Sequence, residues 1–168
     1  DMMANQGMIW KSTRAFYNDI MKVPLIISFP AKLKPDRTDV PINLVDLAPT
    51  LLSLTNLEIP PSMTGIDYSE FLLDPENVKP PQEYVLCERI QSNQAHTRDR
   101  KNAGPGSFAI MSTSWKYIKY ADGHEFLFHL SEDPEEISNL TDKDIYADKL
   151  KEMRIALKDK LQKTNFTH

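Results

Sequence analysis

Few residues in this chain have the types and spacing that chemistry requires. Cys87 is the single cysteine, flanked by Leu86 and Glu88. With no second cysteine it makes neither an internal disulfide nor a cysteine-based metal site. Within an apolar stretch it reads as a buried structural thiol. The four histidines are His96, His124, His129 and His168. None pairs with another as HxH or HxxxH, so they do not build a zinc site among themselves. His124 falls in a turn and His168 at the terminus, both surface positions, and His129 lies between Phe128 and Leu130 as a structural histidine. His96 differs. It sits in the polar stretch QSNQAHTRDRKNAGPG, residues 91–106, beside Arg98, Arg100 and Lys101. Structureless loops of that length are usually functional or disordered. His96, Arg98 and Arg100 therefore read either as a solvated loop or as contacts to an anionic substrate. Lys11 follows Trp10 and precedes a helix start. A cation beside a helix N-terminus suits sulfate or phosphate; the alternative is a solvated lysine.

These residues must be held by regular elements. Ser12 or Thr13 can cap a helix carrying Phe16, Ile20 and Met21, which ends at Lys22 because Val23 precedes Pro24. Leu25, Ile26 and Ile27, with Ser28 and Phe29, read as a short buried strand, central or parallel, since both faces are apolar. AKLKPDRTDVP, residues 31–41, is a surface connection. Leu44, Leu47, Leu51 and Leu54 form one apolar helical stripe. Pro49 is tolerated only near a helix start, so the helix is expected to begin at Asp46 or Leu47 with Asp46 as cap. Prolines 60, 61, 75, 80 and 81 forbid long elements between 56 and 82, apart from a turn of helix at Tyr68 to Leu73.

Beyond that point the texture changes. Strands are expected at Tyr84 to Ile90, Ser107 to Thr113, Trp115 to Tyr120 and Glu125 to Leu130. Asp122-Gly123 is a hairpin signal. A capping pattern at Thr141 to Asp144 precedes an amphipathic helix marked by Tyr146, Leu150, Met153, Leu157 and Leu161. The fold class expected is α/β material over 1–82, followed by an 83–168 subdomain of antiparallel sheet plus C-terminal helix.

Composition narrows the function classes. The 168 residues carry 20 Lys+Arg against 24 Asp+Glu, a net charge of −4, which speaks against a general nucleic-acid binder. At 40% hydrophobic and 26% charged the chain is globular in type. No apolar run approaches the roughly 18 residues of a membrane span. The first residue is Asp1 and no signal peptide is visible, so a fragment or processed product is expected.

Three segments in order resemble one family. MIWKSTRAFYNDIMKVPLIISFP (Met8 to Pro30) is similar to the type I sulfatase pattern of a lysine, an aromatic-acidic helix and then V-P-L-I. INLVDLAPTLLSLTNLEIPPSMTG (Ile42 to Gly65) resembles the family's DLAPT helix and its proline-rich exit. WKYIKYADGHEFLFHLSEDPEEISNL (Trp115 to Leu140) resembles its C-terminal stretch. The match runs along nearly the whole chain and is weakest over 70–106. The resemblance is to type I sulfatases, within the alkaline-phosphatase-like superfamily.

That resemblance implies hydrolysis of sulfate esters by a formylglycine nucleophile and a calcium ion. The formylglycine motif C/S-x-P-S-R is absent here, and Cys87 does not fit it. Asp1-Met2-Met3 resembles the residues just past the family's last calcium ligands. The chain then corresponds to the C-terminal part of a sulfatase, inactive alone, with no calcium or formylglycine of its own. Its implied partners are an N-terminal sulfatase portion and a sulfated small molecule or glycan, with no nucleic acid and no membrane span. A periplasmic or secreted location is favoured. Lys11 matches the family lysine that reaches the sulfate and the bridging oxygen. Loops of the family's C-terminal subdomain lean over the active-site mouth, which makes His96, Arg98 and Arg100 candidates for the substrate side. Two other readings stand beside this one: a phosphatase or phosphodiesterase of the same superfamily, and a non-catalytic interaction module that keeps the fold.

Overall fold

The computed structural model describes residues 16–89 and 106–163. Their contacts divide them into two units. One takes in 16–23 with 86–163; the other is Pro24–Val85. The helical segment after Phe16 therefore belongs with the C-terminal sheet, although more than sixty residues separate the two in sequence.

In the first unit, β1 (Val85–Arg89), β2 (Ser107–Met111), β3 (Trp115–Lys119) and β4 (Glu125–His129) form one sheet in the order β1-β2-β3-β4. The β2–β3 and β3–β4 pairs are antiparallel, with Ile110 opposite Tyr117 and Tyr117 opposite Leu127. Asp122-Gly123 turns β3 into β4, and Gly123 takes φ +91, a conformation that glycine adopts without strain. Period-2 alternation gives the sheet two different faces. Ile110, Tyr117 and Leu127 are buried on the face covered by α4 (Ala147–Lys163), whose Leu150, Met153 and Leu157 are also buried. Ala109, Ile118 and Phe128 point the other way and pack on Phe16, with Tyr17, Met21 and Cys87 around them. A short helix, α1 (Asn18–Met21), follows Phe16 on that face. A 3-10 turn at Asp144–Tyr146 leads into α4, which keeps Asp148 in its first turn and Lys160 and Lys163 in its last, matching the helix dipole.

In the second unit, α2 (Leu44–Leu54) packs with α3 (Ser69–Leu73). Two expectations are corrected here. First, Leu25 to Phe29 forms no strand: residues 22–29 join no ladder, and Leu25 and Ile26 are exposed, Ile26 to 91%. A strand needs a neighbour to pair its N–H and C=O groups, and none of the described strands supplies one.

Second, α2 starts at Leu44, two to three residues before the expected Asp46 or Leu47, and buries a different face. Asn43 is the cap, and its N–H donates to Asp46 Oδ2 at 3.1 Å. Leu44 and Leu51 are exposed, while Asp46, Pro49, Thr50 and Leu54 are buried. The polar residues turn inward because the chain returning from the proline-rich stretch brings them backbone donors. Ile66 N–H donates to Asp46 Oδ1 at 2.8 Å, and Tyr68 N–H donates to Thr50 Oγ1 at 3.0 Å. Ser53 and Ser69 hydroxyls bond at 2.8 Å. Pro49 lies inside the helix and has no N–H to offer the Val45 carbonyl, and Gly65 comes up against that carbonyl. A Cβ on Gly65 would lie 2.1 Å from Val45 O.

Candidate functional site

Lys11, His96, Arg98 and Arg100, the residues singled out by sequence, all lie outside the described residues. The described elements that flank them share one unit and one sheet face. Phe16 follows Lys11 by five positions; β1 ends at Arg89 and β2 begins at Ser107, bracketing the stretch that carries His96, Arg98 and Arg100. Phe16, Cys87 of β1 and Ala109 of β2 all belong to the same apolar cluster.

That face is locked by a buried charge pair. Lys116 Nζ lies 2.6 Å from Glu136 Oε1, donates to Phe16 O at 2.9 Å and to Asn18 Oδ1 at 2.7 Å. Two hydrogen bonds and the ion pair thus surround the ammonium. Glu136 Oε2 accepts the Asn18 N–H at 2.6 Å. Glu136 takes φ +56, in the left-handed region that strains a residue with a side chain. Burial pulls the Lys116 ammonium down from its usual value, and Glu136 pushes it back up. Two backbone contacts, at Phe16 O and Asn18 N–H, and one to the Asn18 side chain thus fasten this segment to β3 and to the turn after β4. Sequence reasoning missed Lys116 and Glu136. Only the alternation of β3 held a signal, since Lys116 shares a face with Ile118.

The remaining reactive groups are quiet. Cys87 is half-buried, and burial pushes its thiol up, with Lys116 pulling the other way. A raised thiol is a poor nucleophile at neutral pH, in keeping with a structural cysteine. His124 is exposed beside Asp122, with Nδ1 3.0 Å from its carboxylate. His129 stacks on Trp115 at 4.2 Å between ring centres and sets Nδ1 3.0 Å from Glu132. A shallow polar cavity of about 380 Å³ lies beside the β3–β4 hairpin, lined in part by His124, Asn139 and Arg154. Its arginine is already engaged by Glu125, which also accepts the Tyr117 hydroxyl at 2.5 Å. Among the described residues no three His, Cys, Asp or Glu side chains gather as metal ligands. Among the same residues no helix is long and apolar enough to cross a membrane.

Known proteins give this arrangement its context. The family model described as "N-sulphoglucosamine sulphohydrolase, C-terminal" matches residues 7–165. Arylsulfatase K of Xenopus laevis is 27% identical over 145 residues, covering 82% of this chain and 26% of that protein. N-acetylglucosamine-6-O-sulfatase of Bacteroides thetaiotaomicron is 27% identical over 154 residues, covering 89% and 26%. A solved structure described as a 2-O GAG sulfatase superposes with a TM-score of 0.56 at 26% identity, covering 71% of this chain and 24% of that one. The chain spans about a quarter of the length of these relatives. The match of that family model from residue 7 to 165, far more than half of the chain, makes this chain a member of the N-sulphoglucosamine sulphohydrolase C-terminal family, the C-terminal portion of a type I sulfatase.

Proposed function

We propose that this chain is the C-terminal portion of a hydrolase of sulfate esters on carbohydrate, working with an upstream portion that supplies nucleophile and metal ligands. The family match over residues 7–165 carries the reading. Two of the similar proteins are described as acting on sulfated sugars, an N-acetylglucosamine-6-O-sulfatase and a 2-O GAG sulfatase. In the complete enzyme, formylglycine would supply the nucleophile and calcium the charge opposite the sulfate. The described residues gather no metal ligands. The chain's own contribution is Lys11, an ammonium directed at a sulfate oxygen and the departing ester oxygen, where negative charge develops. His96, Arg98 and Arg100 contact the sugar side, where cations suit additional carboxylate or sulfate groups. The shared packing of Phe16, β1 and β2 supports this reading, because it gives the flanks of both segments one rigid base. A secreted or periplasmic location agrees with it.

The test is to read the encoding gene upstream of Asp1 and to assay its whole product and the 168-residue chain on an aryl sulfate. The expected result is a C/S-x-P-S-R motif upstream, turnover by the whole product, and none by the short chain above a heat-killed control. Turnover by the short chain alone, or a whole product inert toward every sulfate ester offered, would overturn the proposal.

A further inference from the structure

The flank of α4 that meets the β3–β4 hairpin carries one sign of charge. Lys151, Arg154 and Lys158 stand at i, i+3 and i+7, within about 60° of one another around the helix. All three are exposed. The helix keeps its carboxylates elsewhere. Asp148, Glu152 and Asp159 stand at i, i+4 and i+11 on the far side, where Glu152 pairs with Lys149. Among the described residues no carboxylate pairs with Lys151 or Lys158. Arg154 is fixed in the middle of the strip by Glu125, which accepts from its Nε and Nη2. Lys119, also exposed, lies opposite Glu125 across the β3–β4 ladder. The cavity of about 380 Å³ opens beside this pair, and its wall adds Asn139, Thr141 and Asp142.

We infer that this flank of α4 and the adjoining cavity bind an anionic carbohydrate chain. Lys119, Lys151 and Lys158 take its sulfate or carboxylate groups, and Thr141 and Asp142 take ring hydroxyls in the cavity. This rests on the reading that the substrate is a sulfated carbohydrate, and it makes that substrate an oligomer held over several sugar units. Spacing argues for a chain over a small anion. Seven helical residues rise about 10 Å, so Lys151 and Lys158 are too far apart to grip one sulfate together. The wall chemistry argues for sugar. Asp142 would repel a bare anion, whereas a carboxylate is a good acceptor for sugar hydroxyls. A nucleic acid calls for a broad basic excess, and this chain has a net charge of −4.

Titration calorimetry of the whole gene product with a dextran sulfate oligosaccharide, over a series of salt concentrations, tests this. Uncharged dextran of the same length is the control. The double variant Lys151→Gln, Lys158→Gln is expected to weaken binding about 3- to 30-fold, as loss of two exposed charge contacts does. The slope of log affinity against log salt is expected to fall by about 1–2. The melting temperature should stay where it is, since both side chains are exposed. Lys151→Arg, Lys158→Arg should keep the affinity. An affinity of the Gln variant within about twofold of wild type, or equal binding of uncharged dextran, overturns the inference. So does tighter binding of duplex DNA than of dextran sulfate, which would assign the strip to nucleic acid. No readout uses activity. A whole product that binds through these lysines but turns over no sulfate ester fails the functional proposal and leaves the binding strip standing. An active whole product whose Gln variant binds like wild type fails only the strip.

Discussion

Lys116 and Glu136 face each other at 2.6 Å with side chains 0% and 2% exposed, and together they hold the backbone of Phe16 and Asn18. Removing one partner of a buried pair strands the other charge, which costs more than the pair contributes. Lys116→Met is therefore expected to lower stability by about 3–5 kcal/mol. Adding Glu136→Gln should recover part of that loss by removing the stranded carboxylate. Urea unfolding of the single and double variants is the measurement. A single variant within about 1 kcal/mol of wild type, or a double variant worse than the single, would show that the pair does not carry the junction.

Gly65 is required by contact rather than by backbone angle. A methyl group there meets the Val45 carbonyl at 2.1 Å, and that atom is helix backbone with little freedom to move. Gly65→Ala should destabilise by about 1–3 kcal/mol or more, as overpacking does. If the urea midpoint does not shift, the close approach is absent in solution.

The pH dependence of stability should show Glu125. Burial pushes its carboxyl upward, but hydrogen bonds from Arg154 and Tyr117, with the Arg154 charge, outweigh that, and the net direction is below the ordinary value of 4.5. Below about pH 4.5 the unfolded chain therefore takes up this proton before the folded one. The stabilisation is fully present above that pH and is lost as the pH falls through the folded value. Glu125→Gln should be less stable than wild type at pH 7, with the gap closing in acid. A gap constant from pH 7 to pH 3 would contradict the assignment.

Lys11 is expected to affect chemistry and not folding. In the whole gene product, Lys11→Ala should lower kcat by about 10²–10³, the usual effect of losing one preorganised donor, with the melting temperature nearly unchanged. Lys11→Arg should restore little, because a planar fork replaces a compact point charge. Unchanged kcat in Lys11→Ala would remove the residue from the site. Lost activity with a collapsed melting temperature would make it structural.

The C-terminal sheet and α4 were legible because their signals are local. Asp122-Gly123 fixes a hairpin, and the stripe Leu150, Met153 and Leu157 has one core to face. The α2 stripe misled because four leucines at helical spacing say which residues share a face, not which face the rest of the chain will cover. The answer lay with backbone donors at Ile66 and Tyr68, some twenty residues away. The 25–29 segment misled in a related way: its apolar run is strand-like, but a strand is a property of two chains and the described residues supply one. Lys116 was hidden because a lysine in a strand reads as solvated, and its acceptors lie at Phe16, Asn18 and Glu136.

The clasp on Phe16 and Asn18 also sets a timetable. The Asn18 N–H meets a carboxylate 118 positions further along the chain. A ribosome adding about 5–20 residues per second needs about 6–24 s to make that interval. Until β2, β3 and β4 have been made, the apolar ring of Phe16 has no sheet to rest on. The clasp on Phe16 and Asn18 therefore closes no sooner than the turn carrying Glu136 has been made, however fast the hairpins form. Nascent chains stalled before and after that turn should differ in protease sensitivity at Phe16.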